Sequence, residues 1–289
     1  MKNGIARLGG FVLLVALLPV AAAAVKTPKL KFTFTTVTVK GAQSTAIYGI
    51  NNAGSMVGAY VDKAGVQHGF RMVKGKVKKI DDPNGVSTSC FGINKAGAIV
   101  GYYFTSAFVA HGFLYQKGTY TDVGPANSNG SQAIGINDAG DINGNYGDSN
   151  FVSHGFLLQG GNYTTIDVPG AQGTLGGGIN KAGLLTEEWI DSSNNVESSL
   201  YDGTKYTTIN IPGETDSYVS SLNNLGDIVY SWESAENYGG ALLHGGKYYK
   251  FHVPHGDRTF GYGINDHKVI VGAYTTDSGV TKGYSATYQ

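Results

Sequence analysis

The sequence predicts an all-β protein: a six-bladed β-propeller with about 43 residues per blade, whose N-terminal strand closes the last blade. Three observations support this prediction. A short motif recurs six times at a nearly constant spacing, each period contains four strand-like segments, and the last period lacks a segment that the N-terminus supplies.

The repeated motif has the form Gly-Ile-Asn, as in "YGINNAG" from Tyr48. Its central apolar residues are spaced by 43, 43, 43, 43 and 42 residues: Ile50, Ile93, Ile136, Ile179, Leu222 and Ile264. A fixed period of this length indicates a repeat architecture. The Asn that follows precedes a turn ending in glycine in five units, so we expect it to cap that turn.

Each period contains four short strand-like segments. In the first period they are "STAIYGIN", "MVGAYVD", "QHGFRMV" and "KVKKIDDP", with Gly, Asn, Asp and Pro between them. No helical periodicity appears beyond the first 24 residues. Four short strands in roughly 40–45 residues are typical of one propeller blade.

The last period is incomplete at the C-terminus. The chain ends "GYSATYQ" at 283–289, which matches "GFRMVKG" at 69–75 and therefore stops after the third strand. The missing fourth strand has its counterpart in "FTTVTV" at 34–39, which resembles "YTTIDV" at 163–168. We expect the N-terminal strand to complete the sixth blade, which would remove an open sheet edge.

The chain divides into three parts. Residues 1–24 have the pattern of a signal peptide: Lys2 and Arg7, then the apolar run "LGGFVLLVALLPV", then "AAAA". Residues 25–31 are a short linker, and residues 32–289 form a single propeller. The expected location is secreted, either extracellular or periplasmic, with no membrane span after cleavage; an uncleaved anchor is the alternative.

The charge balance argues against a nucleic-acid partner. Removing Lys2 and Arg7 leaves 19 of the 21 basic residues against 21 acidic residues. Cys90 is the only cysteine, which excludes an internal disulfide, and its counterparts in other units are apolar or small. We therefore expect a buried structural thiol at Cys90. No cofactor and no metal site are expected.

The motifs resemble the HAF-type extracellular repeat of bacterial secreted proteins. The resemblance rests on "GIN-x-x-G-x-I-V-G-x-Y" followed by "HGF", which stands at 68–70, 111–113 and 154–156. The last three units depart from it, with "ESS", "GAL" and "KGY" at 197–199, 240–242 and 282–284. The resemblance implies an extracellular bacterial protein and supplies no active site. The three His side chains are expected to bond backbone groups of a neighbouring blade.

An aromatic residue stands ten positions after each motif anchor. The six residues are Tyr60, Tyr103, Tyr146, Trp189, Trp232 and Tyr274. One interpretation is a ring of stacking platforms for sugar rings. The other, which strand alternation favours, is core between the blades, because apolar residues four positions earlier share the same side of the strand.

The fourth unit carries an unusual group of acids, Glu187, Glu188 and Asp191. Glu187 takes a position that is glycine in four other units: Gly58, Gly101, Gly144 and Gly272. Paired carboxylates could serve acid–base chemistry on a glycoside. Adjacent strand residues point to opposite faces, however, so Glu187 and Glu188 should not face one substrate together. Degeneration of one repeat is the simpler interpretation.

The sequence favours a binding or interaction module whose partner is an unidentified ligand, such as a glycan or a cell-surface component. One alternative is a carbohydrate-active enzyme, a glycoside hydrolase or lyase, with its site near the fourth unit. A second alternative is a passive structural surface protein. No catalytic residue can be named from the sequence.

Overall fold

The protein is all-β and is built from six blades. The computed structural model describes residues 29–234 and 238–289. Its 24 strands form six four-stranded antiparallel sheets, which confirms the predicted six-bladed propeller. The predicted signal peptide and the first residues of the linker lie outside the described residues. Within the described ranges no helix is long and apolar enough to cross a bilayer.

The strands follow one another in the order that the repeat predicts, with the first strand of each unit innermost. The first blade contains β2 (Ser44–Ile50), β3 (Met56–Val61), β4 (Gln67–Val73) and β5 (Lys76–Lys79). The second contains β6 (Ser87–Ile93), β7 (Ile99–Phe104), β8 (Ala110–Gln116) and β9 (Thr119–Val123). The third contains β10 (Ser131–Ile136), β11 (Ile142–Gly147), β12 (Ser153–Gln159) and β13 (Asn162–Ile166).

The other three blades repeat this pattern. The fourth contains β14 (Gly173–Ile179), β15 (Leu185–Ile190), β16 (Val196–Tyr201) and β17 (Tyr206–Thr208). The fifth contains β18 (Asp216–Leu222), β19 (Ile228–Glu233), β20 (Tyr238–His244) and β21 (Lys247–Phe251). The sixth contains β22 (Gly256–Ile264), β23 (Val269–Thr276), β24 (Thr281–Tyr288) and, as its outer strand, β1 (Phe32–Val37).

The N-terminal strand closes the sixth blade, as predicted. β1 pairs antiparallel with β24 over six residues, from Phe32 opposite Tyr288 to Val37 opposite Gly283. The Phe32 ring also packs against Phe251 of the fifth blade, with ring centroids 4.9 Å apart. β1 is therefore held both by its strand ladder with β24 and by aromatic packing against the fifth blade.

A glycine and a large aromatic residue form a packing pair in four blades. In the first blade Gly58 lies opposite Phe70, and a Cβ on that glycine would lie 2.0 Å from a backbone oxygen. In the fourth blade the equivalent pair is Glu187 opposite Ser199, so the larger side chain has changed strands. In this unit the larger side chain therefore stands on the second strand of the blade and the smaller one on the third.

The motif Asn residues cap their turns, as expected, and they also join the blades. Oδ1 of Asn51 accepts hydrogen bonds from the backbone N–H groups of Ala53 and Ser55, at 3.1 and 3.0 Å. Its Nδ2 donates to the backbone oxygen of Asn94 in the second blade, at 2.9 Å. Four similar links start from Asn94, Asn137, Asn223 and Asn265. Five of the six contacts between blades carry such a link, and the sequence alone did not reveal this Asn ring formed by the motif residues.

Two of the three recurrent histidines, His68 and His154, bond carboxylates of their own blade, so for these two the prediction of backbone partners in a neighbouring blade was wrong. His68 lies between Asp81, 2.7 Å from Nδ1, and Asp62, 3.2 Å from Nε2. His154 contacts Asp167 in the same way, at 2.9 Å. Cys90 is buried and free, which confirms the expected structural thiol.

Candidate functional site

A channel runs between the innermost strands of the six blades. Its volume is about 330 Å³, and it is lined mainly by the last residues of those strands and by the motif Asn residues. A cavity of this size matches the lower end of small-ligand pockets in proteins, roughly 300–1,000 Å³. The repeat position directly before the motif glycine faces into it in every blade.

One side of the channel is aromatic. Tyr48, Phe91 and Tyr262 come from the first, second and sixth blades. The rings of Tyr48 and Phe91 stack at 4.4 Å with an angle of 4° between their planes, and Tyr262 meets Tyr48 at 5.1 Å. Burial raises the pKa of Tyr48 to about 12, so its phenol stays neutral and able to donate a hydrogen bond.

The opposite side of the channel lacks aromatic rings at this repeat position, and it carries polar side chains as well as the apolar Ile134 and Leu175. Blades three to five have Ile134, Gly177 and Ser220 at the position where the aromatic side has its rings. A Cβ on Gly177 would lie 2.5 Å from Thr186 Oγ1, so this position requires glycine and leaves space in the channel. Polar side chains surround that space: Gln132, Asn145 and Glu188. The channel therefore has two chemically different halves.

Glu188 is the acid that faces the channel. Its side chain is half-buried and has no hydrogen-bond partner among the described residues. Desolvation by the surrounding protein raises its pKa to about 8. At neutral pH a protonated fraction of Glu188 can donate a hydrogen bond as well as accept one.

Glu187 points away from the channel, into the contact between the third and fourth blades. It is fully buried, and one carboxylate oxygen accepts a hydrogen bond from Asn143 Nδ2 at 3.1 Å. Its other oxygen and the Asn143 Oδ1 are buried without partners. Burial raises the pKa of Glu187 well above its usual range, so this acid is held in its neutral form.

Asp191 lies in the turn after β15, and its side chain stabilises that turn by accepting backbone hydrogen bonds. Its Oδ1 accepts hydrogen bonds from the backbone N–H groups of Ser193 and Asn195, at 2.7 and 2.9 Å. The Asn195 backbone N–H is the main cause of a lowered pKa at this carboxyl. The structure thus separates the three acids that the sequence grouped: Glu188 lines the channel, Glu187 lies between blades and Asp191 caps a turn.

The buried acids predict a pH-dependent stability. Above the ordinary glutamate value of 4.5, the folded chain holds protons at Glu187 and Glu188 that the unfolded chain has lost. The free energy of unfolding should therefore fall as the pH rises from 4.5 towards 8. Replacing Glu187 by Gln should remove up to about 1.4 kcal/mol per pH unit of that slope. Urea unfolding between pH 5 and 8 measures the slope directly.

Asp191→Asn is the matched control for this experiment. The pKa of Asp191 is lowered, so its contribution changes only below the ordinary aspartate value of 3.8. The slope between pH 5 and 8 should be the same as in the unchanged protein. If Glu187→Gln also leaves the slope unchanged, Glu187 is ionised in the folded protein.

The six aromatic residues ten positions after the motif anchors do not line the channel. Tyr103, Trp232 and Tyr274 are 4%, 7% and 7% exposed, and the other three are half-buried. Five of the six have hydrogen-bond partners at 3.0–3.2 Å within their own blades, through Tyr103, Tyr146, Trp189, Trp232 and Tyr274. Their arrangement is that of blade packing.

Comparison with known proteins supports the fold. No family model matches the chain, and no curated protein matches it in sequence. Among solved structures, the Aleuria aurantia lectin N224Q mutant with alpha-methyl-L-fucoside is 12% identical, with a TM-score of 0.53, over 88% of this chain and 96% of the lectin. The SapL1 lectin with alpha methyl fucoside is 12% identical, with a TM-score of 0.57, over 84% and 93%.

A third similar structure belongs to a different kind of protein. The β-propeller domain of the Trilobed protease from Pyrococcus furiosus is 10% identical, with a TM-score of 0.54, over 86% of this chain and 82% of that domain. Similarity at this level of identity establishes the propeller architecture shared by the lectins, the protease domain and this chain.

Proposed function

We propose that this chain is an exported bacterial propeller of the HAF-repeat type that binds a carbohydrate in its axial channel. The observation that carries the proposal is the division of the channel into an aromatic half and a polar half. The leader-like residues 1–24 support export to the periplasm or the cell exterior.

A sugar ring has surfaces that suit both halves. Its C–H groups pack against apolar aromatic surface, which Tyr48, Phe91 and Tyr262 provide on one side. Its hydroxyl groups need donors and acceptors, which Gln132 and Glu188 provide on the other side. A channel with six identical walls could not orient such a ligand, whereas these two different halves can.

The similar structures support the same class of ligand. The two lectins are in complex with fucosides in those structures. Alpha-methyl-L-fucoside is therefore a sensible first probe, followed by a panel of neutral and acidic glycans. The passive structural role, by contrast, gives no account of why the channel walls differ from blade to blade.

Catalysis is the second candidate, and Glu188 is the observation that favours it. A carboxyl in a channel with a raised pKa has the character of a general acid. Glycoside hydrolysis usually needs a second carboxyl on the other side of the bond. Glu187 and Asp191 cannot fill that role, because they face the blade contact and a turn. We therefore place binding ahead of catalysis.

Filling the channel tests the proposal. Tyrosine already occupies this repeat position in two other blades, as Tyr48 and Tyr262. The innermost strand of the fifth blade should therefore accept Ser220→Tyr. Because the new ring occupies the open half, we expect affinity for a bound glycan to fall at least tenfold while the melting temperature stays within 2–3 °C, roughly one kcal/mol for a domain of this size. Isothermal titration calorimetry on the glycan found by array screening gives the affinity.

Thr207→Tyr is the matched control, since it adds the same ring at an exposed position of the outer strand β17. It should bind like the unchanged protein. Equal affinity of the Ser220→Tyr protein and this control would place the ligand outside the channel. Release of the aglycone from an aryl glycoside, lost in Glu188→Gln, would instead establish the enzyme.

A further inference from the structure

Two phenylalanines stand fully exposed at the tips of equivalent turns in neighbouring blades. Phe108 is 84% exposed in the second blade, and Phe151 is 80% exposed in the third. Each occupies the turn between the second and third strands, at the end of the blade opposite the Asn ring. Phenylalanine usually avoids such exposure, and adjacent exposed apolar side chains commonly mark an interaction site.

Both residues also have a backbone conformation that bulky side chains rarely adopt. Phe108 has φ of 59° and Phe151 has φ of 63°. The equivalent residues in the first, fourth and sixth blades are Gly65, Asn194 and Gly279, which tolerate positive φ. The same turn hydrogen bond closes all five turns. Two blades therefore carry a phenylalanine where the backbone favours glycine or asparagine, which points to a use for the side chain.

The surface around the two tips carries little charge. Residues 105–110, 124–131 and 149–153 contain no Asp, Glu, Lys or Arg. The loop at 124–130 lies beside the first tip, since a Cβ on Gly130 would lie 3.6 Å from Val109 Cγ1. Asp148 is the nearest acid along the chain, and its Oδ1 is occupied by the N–H groups of Asn150 and Val152. The partner of this surface therefore needs no charge of either sign.

The size of the patch argues against a second copy of the chain as partner. A phenylalanine side chain contributes roughly 150–250 Å² when buried, so the two rings together offer about 400 Å². Stable protein interfaces bury about 800 Å² on each partner. The exposed valines of these turns do not distinguish this surface from the other blades, because Val66 and Val280 are equally exposed in blades without a phenylalanine tip.

We infer that Phe108 and Phe151 insert into the surface of a neutral lipid bilayer. Two protruding rings on a rigid scaffold can enter a soft apolar medium without needing a shaped pocket. The absence of basic residues from residues 105–110, 124–131 and 149–153 makes zwitterionic lipid sufficient. The inference does not depend on what the channel binds.

Sedimentation with sucrose-loaded phosphatidylcholine vesicles tests this inference. The variant Phe108→Asn/Phe151→Asn should lower the partition coefficient at least tenfold. Its melting temperature should stay equal or rise, because Asn194 shows that asparagine suits this turn. Adding phosphatidylglycerol to the vesicles should change the binding of the unchanged protein less than twofold.

Leu225→Ser is the matched control, since Leu225 is 64% exposed at a turn on the opposite face. It should sediment with vesicles as the unchanged protein does. Equal sedimentation of the double variant would overturn the inference. So would a concentration-dependent dimer, seen by analytical ultracentrifugation, that the double variant abolishes, because the patch would then be a contact between copies.

Discussion

Removing the N-terminal strand β1 is expected to lower the melting temperature of the protein by roughly 15 °C or to make it insoluble. The deletion leaves the edge of β24 unpaired over the six residues that β1 covers. It also exposes Phe251 and Tyr284, against which Phe32 and Phe34 pack. Phe32 and Phe34 are half-buried, so about half of the roughly 400 Å² that two such rings can bury is lost, which corresponds to about 5 kcal/mol at 25 cal/mol per Å².

A chain that starts at residue 29 is the control, because it keeps β1 whole while lacking the leader and most of the linker. It should melt like the longer protein. A synthetic peptide of residues 29–40, added to the deleted protein, should restore much of the loss by occupying the same edge. If the deleted protein melts like the control, the strand does not fasten the ring.

The repeat made this closure predictable, whereas several contacts between blades were not. The spacing of the motifs and the displaced "FTTVTV" sufficed to place β1 against β24. Turn capping by Asn51 was also predictable, since it uses only neighbouring residues. The bond from its Nδ2 to Asn94 was not, because residues 43 positions apart meet only once the blade angle is known.

The histidine partners could have been found from the repeat itself. An Asp stands six positions before His68 and another 13 positions after it, and His154 has the same pair. The prediction of backbone partners did not include these two Asp positions, which are Thr105 and Gly124 around His111. Comparing whole units rather than single motifs would have identified the Asp–His–Asp arrangement.

The channel was missed for a different reason. The aromatic residue that is present in all six units packs within the blades and does not line the channel. The position before the motif glycine differs between units, from Tyr48 and Phe91 to Gly177 and Ser220. In a regular array, the place where the repeats disagree is a better candidate for a site than the place where they agree.

The exchange between Glu187 and Ser199 shows the limit of that rule. Glu187 departs from the repeat, and the sequence shows this directly. Only the register of β15 and β16 shows that the small Ser199 lies opposite and leaves room for the Glu187 side chain. Glu187 is buried in the packed contact between blades, whereas its neighbour Glu188 is the acid that lines the channel. A departure from the repeat can therefore mark compensation as well as function.

Replacing Trp232 by Ala is expected to lower the free energy of unfolding by about 3–5 kcal/mol, as large aromatic truncations in packed cores do. Trp232 is 7% exposed and belongs to a cluster with Val219, Leu222 and Tyr230. Its Nε1 donates to the Gly240 backbone oxygen at 3.2 Å, so the truncation also removes a buried hydrogen bond. Urea unfolding of the variant gives the free energy.

Fluorescence separates this core position from a sugar-stacking platform. Trp189 and Trp232 are the only tryptophans, so a Trp189→Phe background makes the emission report Trp232 alone. A buried ring should emit at short wavelength, resist quenching by iodide and ignore a glycan bound in the channel, which it does not line. Ready quenching, together with a glycan-dependent shift that Trp232→Ala abolishes at unchanged stability, would make Trp232 a ligand contact. In that case the ring of six aromatic residues, rather than the channel, would be the carbohydrate site.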